Sequence, residues 1–270
     1  HNARLAKLGI RPLNLDITRE SDFAKLDGQY DRVVIAASSS RGGEEAYKKV
    51  FIDGSENIYR WLTGQHSLRT IVFISSTSVF CHKNGEKLKE NLRRDQEVPM
   101  TTKAKILTEA EELWWWLEDD MYLPVTVLRA SGIYGPNRGH LFRRFMEGKA
   151  EIEGDGKRYL NMVHRDDLVA AIIVCLQKRK GCFTHERIYN ITDDEPVTQL
   201  EFFNWLSETT GRPMPPFGPE PDHSTRKRGI TNKRVSNKLF KETFGFKYNY
   251  PTFREGLTGE LTRLTKRKTR

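Results

Sequence analysis

Thr70-Ile71-Val72-Phe73-Ile74-Ser75-Ser76 decides how the rest of the chain is read. It is a compact β-type run that ends in a cluster of hydroxyls, and similar runs recur on either side of it. Upstream, Ile10 to Asp16 reads as a short strand and Asp31 to Ala37 as a second, whose apolar centre suits burial on both faces. Downstream, Pro124 to Leu128 and Arg187 to Ile191 make a fourth and a fifth. Helical stretches fill the gaps. Glu44 to Leu62 places Val50, Ile58 and Leu62, with Trp61, at helical spacing, and Lys103 to Leu117 is rich in Ala, Leu, Glu and Lys. Strands alternating with helices predict an α/β fold, a doubly wound parallel sheet of Rossmann type. Ligands of such sheets sit beyond the carboxyl ends of the strands. Ala36-Ala37, Ser75-Ser76 and Arg129 are therefore the positions to watch, and Ser76 and Arg129 are expected to face a common cleft.

The alternation loosens after residue 130. Residues 1–131 plus 162–191 are expected to form the nucleotide-binding domain, 132–161 plus 192–257 a smaller lobe, and 258–270 a basic tail. Trp114-Trp115-Trp116 lies on the helix before the fourth strand. Successive helical residues diverge by about 100°, so one Trp should face the core and another solvent or a partner.

Composition narrows the class. No apolar run is long enough to span a membrane. Three scattered cysteines, Cys81, Cys175 and Cys182, argue against a disulfide framework and for a reducing compartment. Cys81-His82 has no second ligand pair at metal spacing, so no metal is expected. The net charge of +9 is concentrated late, from Arg226-Lys227-Arg228 through Lys233, Arg234, Lys238 and Lys241, and again from Arg263 to Arg270. Such a stripe can meet nucleic acid, although a solvated face is the plainer reading.

Several blocks occur in a set order: Leu15-Asp16, Val34-Ile35-Ala36-Ala37, Ile74-Ser75-Ser76-Thr77-Ser78-Val79-Phe80, and Arg129-x-x-Gly132-Ile133-Tyr134-Gly135-Pro136. Asn161-x-Val163-His164-x-Asp166-Asp167-Leu168, Tyr189-Asn190-Ile191 and a closing Tyr250-Pro251 to Gly256-Leu257 follow. Together they resemble the extended short-chain dehydrogenase/reductases, particularly the NAD(P)-dependent epimerase/dehydratase group. The resemblance implies NAD or NADP as cofactor, a small-molecule substrate, and a homodimer through helices 44–62 and 103–117. It places Asp16 and Ile17 against the adenine, Ala36 and Ala37 along the cofactor's middle, and Ser75 and Ser76 near the nicotinamide. Arg129, Tyr134, Asn161 and His164 would meet the substrate. For His164 and Asp166 the residues themselves suggest a plainer role, capping the helix that begins there.

Two features of the family are missing. Neither G-x-x-G-x-x-G nor G-x-G-x-x-G occurs, so no glycine turn offers its N–H groups to a pyrophosphate. By resemblance, the first strand, that turn, the first helix and the second strand are absent, and Asp31 to Ala37 becomes an exposed apolar edge. Active members also carry a Tyr four residues before a Lys on one helical face. Four residues before Lys105 stands Thr101, and four before Lys103 stands Pro99. Ser76 and Lys105 remain as hydroxyl and ribose-holding lysine. These facts leave an epimerase or dehydratase acting on a nucleotide-sugar-like or other polar substrate, or a non-catalytic dinucleotide sensor or RNA-associated protein.

Overall fold

The computed structural model of the chain describes residues 2–39, 42–89, 100–121, 125–177, 187–220 and 231–268. A short helix α1 (Asn2–Ala6) and a 3-10 turn (Glu20–Lys25) precede β1 (Arg32–Ile35). Helices α2 (Gly43–Lys48) and α3 (Gly54–Leu62) are joined by a π turn over Lys49–Asp53. Then come β2 (Thr70–Ser76), β3 (Glu86–Leu88), α4 (Thr102–Met121), β4 (Val125–Ala130) and β5 (Gly132–Tyr134). Next are α5 (His140–Met146), β6 (Ile152–Glu153), β7 (Tyr159–Leu160), β8 (Met162–His164), α6 (Arg165–Leu176) and β9 (Ile188–Ile191). The chain closes with β10 (Val197–Thr198), α7 (Gln199–Thr210), β11 (Phe217–Gly218), β12 (Lys233–Val235), α8 (Lys238–Phe244) and α9 (Phe253–Lys268).

The main sheet runs β1-β2-β4-β9 and every pairing in it is parallel. This is the parallel α/β sheet expected from the strand–helix alternation. Its centre is apolar on both faces because helices cover both: Ile71, Val72 and Phe73 are at most 1% exposed. Alternation sends Ile71 and Phe73 into a cluster with Leu107, Ala110 and Trp114 of α4. Val72 and Ile74 go the other way, to Leu168, Ala171 and Cys175 of α6. A third cluster, around Phe142, Phe145, Phe202, Phe203 and Phe253, lies among α5, α7 and α9. The three tryptophans part as their helical angles require. Trp114 is fully buried against Phe73 and donates from Nε1 to Ser55 Oγ at 3.1 Å, while Trp116 is 69% exposed.

Ile10 to Asp16 is not a strand. It pairs with no strand of the sheet, which ends at β1, and an extended run without a neighbour leaves its backbone groups to water. Instead it is moored to α3, where Asn57 Nδ2 donates to the Ile17 carbonyl and Gly54 leaves room for the Ile17 side chain. Ile10 is 50% exposed as a result.

Short parallel pairs brace the carboxyl rim. β5 pairs with β8, and β12 pairs with β3. β12 ties the stretch after Ser76 to the rest of the rim: Asn232 donates its N–H to the His82 carbonyl, and Ser236 to that of Leu88. Lys233, expected in the basic stripe, is only 4% exposed and belongs to this brace. Of the other charges expected there, Lys241 pairs with Asp194 at 2.8 Å, and Arg226-Lys227-Arg228 lie outside the described residues, as do Cys182 and Pro99.

Candidate functional site

Register decides which rim side chains share a face. Ser75 stands opposite Arg129, and Ser76 opposite Ala130. Ser75 and Arg129 both reach Glu111 on α4. Ser75 Oγ donates to Glu111 Oε1, while the Arg129 guanidinium donates to both carboxylate oxygens, its shortest contact 2.7 Å from Nη2 to Oε2. The pair is 1% and 2% exposed, and the Arg129 guanidinium also lies 4.9 Å from the Phe80 ring centre. Ser76, one residue on, belongs to the α6 face of the sheet. The expectation that Ser76 and Arg129 face one cleft is therefore corrected: strand alternation separates them, and Arg129 is spent inside the protein as a brace. Ser75 is likewise engaged with Glu111 and buried.

Glu111 escaped the sequence reading, yet its signal was available. Ala104, Leu107, Glu111 and Trp114 follow one helical stripe, and all four are buried. A carboxylate within an apolar stripe demands a buried cation.

Ser76 is half-buried and its Oγ accepts from Ser78 N–H at 3.2 Å, which leaves its hydroxyl proton free to donate. Lys105 is exposed on the first turns of α4. Thr101, at the Tyr position, accepts from Ala104 N–H at 3.2 Å through Oγ1 and so caps the helix. On the amino side, Ala36 is exposed and Ala37 half-buried where β1 ends. Asp16 is exposed, its carboxyl held below the ordinary value by hydrogen bonds from Thr18. Small or open side chains here fit the flank of a dinucleotide. Neither glycine pattern of a pyrophosphate-binding turn occurs in the 270 residues.

The four residues expected at the substrate are committed elsewhere. Asn161 Nδ2 donates to the Lys233 carbonyl at 2.9 Å and its Oδ1 accepts from Val235 N–H at 2.8 Å, stitching β12 in place. His164 Nδ1 accepts from Asp166 N–H, capping α6 as its sequence position suggested. Its ring lies 3.7 Å from that of Tyr250 and meets Tyr134 edge-on, and burial lowers its pKa. Gly135, at φ 138°, permits this approach, since a Cβ there would come within 3.0 Å of His164 Nε2. Tyr134 donates to the Thr252 carbonyl, and burial raises its pKa. All four side chains hold the rim together.

A cavity of about 620 Å³ opens beside α5. Leu141 and Arg144 line one side, Ala150 to Glu153 and Leu160 another, with Arg158, Phe203 and Gly218 to Glu220 closing it. Arg158 donates from Nη2 to Glu153 Oε2 at 2.8 Å, but its Nε is buried with no hydrogen-bond partner among the described residues. Burial lowers its pKa. Nearby, Lys233 Nζ donates to the Phe80 carbonyl at 2.6 Å and to Thr231 Oγ1 at 3.0 Å, and burial takes its pKa from 10.5 to about 8.

The chain matches the sequence profile of the NAD dependent epimerase/dehydratase family over residues 1–192. It is 33% identical over 253 residues to Protein YeeZ of Escherichia coli K12, covering 92% of this chain and 83% of the relative. With the short-chain dehydrogenase/reductase family 42E member 1 of Danio rerio it shares 27% over 218 residues, 72% of this chain and 56% of the relative. UDP-glucuronic acid 4-epimerase from Bacillus cereus, solved in complex with NAD, superposes with a TM-score of 0.74 at 19% identity. That superposition covers 95% of this chain and 82% of the other, a likeness of fold alone. With the profile spanning most of the parallel sheet and its rim, the chain belongs to the NAD-dependent epimerase/dehydratase family.

Proposed function

We propose that this chain binds NAD or NADP along the rim at Asp16, Ile17, Ala36, Ala37 and Lys105, and acts on a nucleotide-sugar-like or other hydroxyl-rich polar substrate in the cavity beside α5. The observation that carries the substrate class is Arg158, a guanidinium with a buried, unpartnered Nε on the wall of a 620 Å³ cavity. A buried donor without a partner costs about 1–3 kcal/mol, which a ligand oxygen accepting there recovers. Arg144, which also lines the cavity, adds a second cation, and Glu151, Glu153 and Glu220 offer acceptors to sugar or ribose hydroxyls. Ser76 keeps a donor for a substrate oxygen. The dinucleotide, when bound, supplies a hydride acceptor.

Titration with UDP, followed by calorimetry, tests the cavity. Binding that weakens roughly tenfold or more in Arg158→Gln supports the reading, by the usual worth of a charged hydrogen bond. Binding indifferent to that change removes it. NADH and NADPH titrations by fluorescence test the cofactor half, where Ala36→Leu should weaken binding through lost space.

A second reading, a dinucleotide sensor without turnover, is favoured by Thr101. Its hydroxyl caps α4, and an alcohol in that place cannot replace a phenol as acid and base, a loss of roughly 10²–10⁴-fold in rate. Substrate-dependent reduction of NAD by the purified protein would exclude this reading. We further propose that the helical stretch 44–62 (α2 to α3) and α4 pair with a second copy, which would cover Trp116; sedimentation as a monomer would remove that proposal.

A further inference from the structure

Helix α5 is a partition between two cavities. At about 100° per residue, Leu141 and Arg144 point to one side, and Arg143, Met146 and Glu147 to the other. The first side faces the cavity described above. The second faces another of about 670 Å³, an open cleft bordered by α5, the turn Gly135–Arg138 and Glu260 of α9. The consecutive Arg143 and Arg144 thus serve different chambers.

Charge pairing in the second chamber is lopsided. Its two acids are already matched: Glu260, 7% exposed, is bound by Arg263, and Glu147 lies 3.3 Å from Lys149 Nζ. Its two arginines, Arg138 and Arg143, form no ion pair among the described residues. Both are exposed, and they line the cavity together with Ile133, Phe142 and Met146. Two unmatched guanidiniums over apolar surface call for a negative head on an apolar body.

Arg138 is also held ready. The turn that carries it is closed by reciprocal bonds, Gly135 N–H to the Arg138 carbonyl at 3.0 Å and Arg138 N–H to the Gly135 carbonyl at 2.9 Å. Within it Asn137 is left-handed, at φ 61°, a conformation Asn tolerates better than most residues. Arg263 donates to the Asn137 side chain, and Glu260 accepts weakly from its N–H at 3.4 Å. A turn fixed at both ends lowers the ordering cost of binding.

We propose that the cavity bounded by α5, the Gly135–Arg138 turn and α9 is a second ligand site, which takes an amphiphilic anion. A carboxylate or phosphate binds at Arg138 and Arg143, and the apolar body lies on Ile133, Phe142 and Met146. The site stands apart from whatever occupies the first cavity.

Calorimetric titration of the whole chain with octyl phosphate, octanoate and inorganic phosphate tests it. Octyl phosphate should bind saturably, at least tenfold tighter than inorganic phosphate. The double change Arg138→Gln with Arg143→Gln should weaken it at least tenfold, whereas Arg144→Gln should stay within twofold. Met146→Trp, which fills the chamber without touching charge, should abolish octyl phosphate binding and leave UDP binding unchanged. No saturable binding to the folded protein overturns the proposal. Equal loss in Arg144→Gln does so as well, because the anion would then sit in the first cavity. Inorganic phosphate binding as tightly as octyl phosphate overturns the apolar half.

Discussion

The centre of the main sheet and its β1 edge are built on opposite terms. Where β2 meets β4 at the carboxyl rim, polar side chains are buried and fully matched: Ser75, Glu111 and Arg129 make one network at no more than 5% exposure. At the β1 edge the surface is apolar and open, with Val34 40% exposed on the face that α6 covers farther along, and Val169 and Ile173 of α6 each 47% exposed. The first region buries charge, the second leaves hydrocarbon in water. Charge at the β2–β4 junction is thus fixed by internal pairing, whereas the β1 edge has spare surface and no partner strand on its outer side among the described residues.

Breaking the matched region should have the largest effect. Glu111→Ala removes the carboxylate that both Ser75 and the buried Arg129 guanidinium donate to, an expected loss of about 3–5 kcal/mol in denaturant unfolding. The double change Glu111→Leu with Arg129→Met should restore most of it, since a packed apolar pair often replaces a buried ion pair without net cost. A double variant as unstable as Glu111→Ala would mean that the network contributes more than charge matching.

Lys233 sharpens the comparison through pH. Its amine is raised in energy by burial, so its folded pKa is about 8 against 10.5 unfolded. Below pH 8 both states hold the proton and the penalty, about 3 kcal/mol from a shift of that size, is fully present. From pH 8 to 10.5 the unfolded chain keeps a proton the folded one has released, so this group makes stability rise with pH. Lys233→Met should flatten that rise in urea unfolding measured from pH 7 to 10.5. An unchanged slope would place the titration elsewhere.

A smaller effect is expected at Gly256, where α9 crosses Tyr134. An added Cβ would lie 2.5 Å from Tyr134 Oη, and Gly256→Ala should cost about 1–3 kcal/mol by overpacking. Tyr134→Phe in the same background should relieve part of it. The smallest change belongs to the open edge. Val34→Lys should alter thermal stability by no more than about 0.5 kcal/mol, as is usual for exposed sites, while slowing aggregation at high protein concentration. A large destabilisation would show that Val34 is covered in solution.

Much of this was legible in sequence. The runs at 31–37, 70–76, 124–128 and 187–191 announced a parallel sheet, because a strand buried on both faces must be apolar along its length. His164 declared itself a cap by preceding two aspartates, and the tryptophan triplet had to split by angle alone. Glu111 could also have been found, as an acid on a buried stripe. Lys233 could not. Its burial depends on β12 pairing with β3, whose partners lie roughly 150 residues upstream, and nothing local marks it.

Sequence by itself determined the four strands of the main sheet, their parallel arrangement and the family, since hydrophobic period and turn chemistry act over a few residues. Tertiary structure alone decided that Ile10 to Asp16 would remain coil, that Ser76 and Arg129 would face apart, and that α5 would separate two chambers. The reason is physical. A strand needs a neighbour, a buried charge needs a counter-charge, and a cavity needs walls, and each of these is supplied from a distant part of the chain.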